Sequence, residues 1–132
     1  MLEPVSRKWK PELREIAWWG NPGAWGYGRT ALALRHRFLE GLPEGVALEA
    51  QPEYQNVVPQ YTWVLSDKPD GIGLDRAVVE SNLEVDLPDT SDLFSMPFGK
   101  GRLVLNTLHI AERLNSDPAA DRILKNIINT MN

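Results

Sequence analysis

The sequence predicts an α/β domain in which helices cover a sheet, ending in a β-hairpin and an amphipathic helix. Three observations lead there. Two β-prone runs, Leu93–Phe98 and Arg102–Leu108, are joined by Gly99-Lys100-Gly101, and a short glycine-bearing connection lets the chain reverse without steric cost. After Asp117-Pro118, the residues Ala120, Ile123, Leu124, Ile127, Ile128 and Met131 recur on one helical face. The chain has 132 residues, 42% of them apolar and 24% charged, which is ordinary globular composition for one domain with its own core.

Taken in order, Lys8 to Ala17 has a helical spacing, with Pro11 tolerated in a first turn and Leu13, Ile16 and Ala17 on one face. Ile16 to Gly28 then reads as a loop with an aromatic lining, since Gly20, Pro22, Gly23, Gly26 and Gly28 fall within nine residues. Thr30 to Leu42 spaces Leu32, Leu34, Phe38 and Leu39 as a helix would, and Gly41 with Pro43 supplies a stop. Pro59 to Ser66 alternates Tyr61, Trp63 and Leu65 and reads as a strand; Asp75 to Val85 offers a second. In the hairpin, Pro97 cannot donate to a ladder, so its arm is expected at an edge or a bulge. A short helix over His109 to Leu114 leads to the final one over 118–131, where Asp117 can cap and Pro118 suits the first position. All ten glycines and all prolines but Pro118 precede residue 102, so regular structure should concentrate at the end.

The net charge of −4 gives no long-range attraction for phosphate backbones. The basic runs Arg7-Lys8-Trp9-Lys10 and Arg35-His36-Arg37 are short and closely followed by acids, as a solvated face would be. No nucleic-acid partner is therefore expected. No apolar run reaches bilayer-spanning length, and the first residues lack the apolar core of a signal peptide. There is no cysteine. Disulfides, thiolate nucleophiles and cysteine-based zinc sites are excluded, and a cytoplasmic setting is expected.

The runs Phe98-Gly-Lys-Gly-Arg-Leu-Val-Leu-Asn-Thr-Leu-His-Ile110 and Asp117-Pro-Ala-Ala-Asp-Arg-Ile-Leu-Lys-Asn-Ile-Ile128 resemble the C-terminal segment of glutamine-amidotransferase-like domains. Those domains are attached to bacterial beta-galactosidases and related glycoside hydrolases. Ala17-Trp-Trp-Gly-Asn-Pro-Gly-Ala-Trp-Gly and Phe38-Leu-Glu-Gly-Leu-Pro43 also look like them. The resemblance implies a partial flavodoxin-like sheet, the later half of such a domain, and an accessory role. The wider superfamily's amidotransfer needs a cysteine on a strand-to-helix turn, and this chain has none.

Trp18, Trp19, Trp25 and Tyr27 lie within ten residues. Sugar rings present apolar C–H faces that stack on indole, while their hydroxyls need polar neighbours such as Asn21, Arg29 or Gln55. The same tryptophans could instead fill a small core or cover a sheet edge. His36 and His109 are far apart, and no spacing suits a metal. Glu80, Glu84 and Asp86 share strand parity and read as a polar solvent face rather than a glycosidase pair. Ser66-Asp67 and Ser91-Asp92 lack a nucleophile-elbow context, and Gly99-Lys100-Gly101 lacks a phosphate-loop frame.

The expected function is a non-catalytic accessory or assembly domain, requiring no cofactor or metal and acting as a homodimer. The alternative is a small carbohydrate-binding module that uses Trp18, Trp19, Trp25, Tyr27 and Arg29. An enzyme built on carboxylates and His109 ranks third. The dimer is expected because a half-sized sheet leaves an edge and an apolar face to cover. The strand Tyr61 to Leu65 and the aromatic loop are the surfaces that would meet.

Overall fold

A computed structural model describes residues 9–15, 30–66, 68, 72–81 and 89–131. Eight strands fall in two sheets: β1 (Glu12–Glu15), β2 (Thr30–Ala33), β3 (Val46–Ala47), β4 (Tyr61–Val64), β5 (Asp75–Ser81), β6 (Thr90–Ser91), β7 (Leu93–Phe98) and β8 (Gly101–Asn106). One sheet has the order β1-β4-β6 and the other β3-β2-β5-β7-β8. The helix α1 (Pro118–Met131) follows. Sheets with a C-terminal helix are as the sequence implies. Every described strand pair is antiparallel, whereas a flavodoxin-like sheet is built from parallel βα units.

The larger sheet carries apolar side chains on both faces because its strands alternate. Ala31, Ala33, Val78 and Leu93 pack with Phe38, Leu39, Leu48, Tyr54, Val57, Ala120 and Ile123. From the opposite face, Phe94 and Met96 pack with Trp9 and Leu65, and Leu105 and Trp63 lean on that cluster. Neighbouring residues on β7 thus feed different cores: Leu93 one, Phe94 the other.

The hairpin and final helix form where the sequence places them. β7 and β8 pair without a break from Leu93↔Asn106 to Phe98↔Gly101, and Gly99 takes φ +58 in the turn, a conformation open to glycine. β7 is an interior strand, but its pairing with β5 ends at Ser95. Pro97 therefore costs no ladder bond on that side. On α1, Asp117 Oδ2 accepts from the Ala120 N–H at 3.3 Å, the capping role expected of it. Ile123 is fully buried, and Leu124 and Ile127 pack against the same core. Ile128 is 51% exposed, contrary to its expected place in the stripe. It lies about 140° around the helix from Ile123, on the flank rather than the buried face.

Two expected helices are not formed. Glu12–Glu15 is a strand paired to β4 through Leu13↔Trp63, where a helix over Lys8 to Ala17 was expected. Thr30–Ala33 is a strand followed by a 3-10 turn at Arg37–Leu39, where Thr30 to Leu42 had helical spacing. Pairing overrode that spacing: β2 bonds to β3 on one side and β5 on the other, burying Ala31 and Ala33. Glu80 is a further correction. It pairs with Ala31 and shares parity with Val78, so it points coreward and is buried. The rest of its expected face, Glu84 and Asp86, lies outside the described residues. The expected helix over His109 to Leu114 is a 3-10 turn at Ala111–Arg113.

Candidate functional site

Trp18, Trp19, Trp25, Tyr27 and Arg29, the expected sugar-binding set, lie outside the described residues. The other two tryptophans are less open to a ligand. Trp9 is buried and donates its Nε1–H to the Ser66 carbonyl at 3.0 Å, while Trp63 is half-buried against Phe94 and Met96.

The three-stranded sheet nonetheless presents an apolar patch. Leu13 opposes Trp63 and Tyr61 opposes Glu15, so the three apolar side chains share one face with an exposed carboxylate. Leu13 is 50% exposed and Tyr61 44%. Thr62 and Val64 point the other way and are buried.

A cleft of about 650 Å³ opens beside the 3-10 turn, lined by Arg35, His36, Arg37, Glu40 and Glu44. His36 is its fixed point. Nδ1 accepts from the Phe38 N–H at 3.0 Å, capping the turn. That nitrogen must be unprotonated to accept, which puts the proton of the neutral ring on Nε2. Nε2 lies 2.9 Å from Oδ1 of Asp75, close to the carboxylate but not aligned for a hydrogen bond. A second imidazole–carboxylate pair joins His109 Nδ1 to Glu112 Oε2 at 2.5 Å. No local pattern signals the His36–Asp75 pair: the two are remote in the chain, and the helical spacing of Thr30 to Leu42 takes in His36. Its only local signal is an imidazole two residues ahead of a turn's N–H.

Neither pair is a catalytic triad. Among the described residues no hydroxyl is hydrogen-bonded to either ring, as the base of a triad would require. The hydroxyls near the buried acids serve the backbone: Ser91 Oγ donates to the Val78 carbonyl at 2.6 Å, and Thr107 Oγ1 to the Asp92 carbonyl at 3.1 Å. No three His, Asp or Glu among the described residues could share a metal ion. No described helix is long and apolar enough to cross a membrane.

At the far side of the larger sheet, β8 is the last strand. Phe98 is 56% exposed and Leu103 38%. Arg102 folds back over β7, donating from Nη2 and Nε to Ser95 Oγ at 3.1 and 3.2 Å and from Nη2 to the Gly73 carbonyl at 3.4 Å. In comparisons with protein-family models, curated proteins and solved structures, none matches the chain.

Proposed function

We propose that the chain is a non-catalytic accessory or assembly domain, working as a twofold dimer and related to the amidotransferase-like domains of glycoside hydrolases. The observation that carries the assembly reading is the pair Leu13 and Tyr61, exposed together on the strand pair β1–β4. An apolar patch on a small sheet is seldom left to water, and a symmetric pair is the commonest remedy. The relationship is supported by the sequence of residues 98–128. A flavodoxin-like arrangement would have to be completed by parallel units beyond the described strands. A cytoplasmic setting remains part of the proposal and draws on the cysteine-free sequence.

Size-exclusion chromatography with light scattering, run as a dilution series, tests the assembly. Twice the chain mass at micromolar concentration, falling on dilution, is expected; a monomer throughout overturns it. The non-catalytic part is tested by supplying aryl glycosides and glutamine. No turnover is expected, and hydrolysis that copurifies with the folded chain contradicts the reading.

A carbohydrate-binding role is favoured by a separate observation, the polar cleft. Two guanidinium groups and two carboxylates line it, and paired donors and acceptors suit a polyhydroxylated ligand. Calorimetric titration with oligosaccharides should then give heat that Arg37→Ala removes. Heat unchanged in that variant would move any sugar site elsewhere.

A further inference from the structure

We propose that the outer edge of β8 is a docking site for an extended strand of a partner protein, one that alternates carboxylates with apolar side chains. The site is separate from the Leu13–Tyr61 face and does not depend on self-association.

The backbone argument comes first. Thr107 donates its N–H to the Asp92 carbonyl, and the pairing register alternates from there. Gly101, Leu103 and Leu105 therefore bond toward β7, while Arg102, Val104 and Asn106 direct their N–H and C=O groups outward. Pro97, which has no N–H, sits opposite Arg102, as that alternation requires. Among the described residues no strand pairs with this outer side. The usual guards of an open edge are missing too. The strand has no proline and no bulge, and Arg102, its one charged residue, is turned back over β7.

Side chains specify the occupant. Leu103 and Phe98 share one face of the hairpin by register, and both are exposed. Arg102 belongs to the opposite face. Residues 93–111 contain Lys100 and Arg102 and no carboxylate, in a chain of net charge −4. Neither cation has an ion-pair partner among the described residues. The nearest cross-strand acid, Asp75, is engaged with His36. A strand laid along β8 thus meets Leu103 on one face and, on a hairpin without carboxylates, the positive field of Lys100 at the turn and of Arg102 held over β7. Alternating apolar and acidic residues satisfy both, with main-chain bonds supplying affinity and side chains the selection.

The probe is a fluorescein-labelled peptide, Val-Glu-Val-Glu-Val-Glu, titrated with the full chain and followed by polarisation. Saturable binding that weakens with salt is expected. Lys100→Glu, at an exposed turn position without partners among the described residues, should weaken it roughly tenfold, and Arg102→Glu likewise. A Val-Lys-Val-Lys-Val-Lys peptide and a backbone N-methylated probe should not bind. No saturable binding overturns the proposal. So does equal binding of the N-methylated probe, which would mean charge adhesion without strand pairing. Sedimentation of Lys100→Glu should match the parent chain, and a shift would merge this edge with the dimer surface. A monomeric parent that still binds the probe would remove the dimer and leave the edge in place.

Discussion

Tyr54 shows how much one side chain can fix. It is fully buried in the main core, and its hydroxyl donates to the Pro43 carbonyl at 2.5 Å. Burial, reinforced by the Glu44 and Glu53 carboxylates, pushes its ionisation up from 10.0 to about 12. Because the folded state holds that proton more tightly, the contribution is complete below the unfolded value. It is lost as pH rises from about 10 through about 12. Tyr54→Phe should cost about 0.5–1.5 kcal/mol at neutral pH through the lost hydrogen bond. It should also flatten the alkaline fall in stability, as read by urea unfolding at pH 7 and pH 11. An equally steep alkaline fall in the variant would assign the titration to another group. Asn126 works by similar means, donating to the carbonyls of Phe38 at 3.1 Å and Glu40 at 2.9 Å. It ties α1 to the turn that His36 caps. The Tyr54 and Asn126 bonds have no signature in the sequence, since a tyrosine or an asparagine becomes a fastener only once the chain has folded back, whereas the His36 cap spans two residues.

Among the elements, those held by local rules were legible and those held by partners were not. The turn at Gly99, the cap at Asp117 and the periodicity of α1 are encoded within a few residues, and all three appear, with Ile128 and Met131 off the buried face. β1 and β2 were read as helices because Leu13 or Leu32 can satisfy a helical spacing as well as a strand one. What decides is the neighbouring strand, through Leu13↔Trp63 and Ala31↔Glu80, and that is invisible locally. The same uncertainty misplaced Glu80, whose parity could be fixed only by its partner. Within α1, burial rather than residue type sets the expected cost. Ile123→Ala should lose about 2–5 kcal/mol, while Ile128→Ala, already half in water, should lose far less. Chemical unfolding of both variants checks this, and equal losses would mean that the helix is rotated from the position described.

For the molecule as a whole, the larger sheet lies between two apolar clusters, one completed by α1 and the other by Trp9 and Leu65. Among the described residues two surfaces of different kinds are left without a neighbour: side chains on β1–β4 and the outer backbone edge of β8. Of the surface expected along Tyr61 to Leu65, Tyr61 is exposed and Leu65 is buried, and the expected aromatic loop lies outside the described residues. The β8 edge was missed because openness is a property of strand order, which the hairpin pattern alone does not contain. Sedimentation velocity at micromolar concentration, comparing the parent chain with Tyr61→Asp, tests the assembly reading most directly. A charge at that patch must be desolvated to remain in an interface, so the parent should sediment as a dimer and the variant as a folded monomer. A variant that sediments as the parent does, or a parent that is already monomeric, would contradict it.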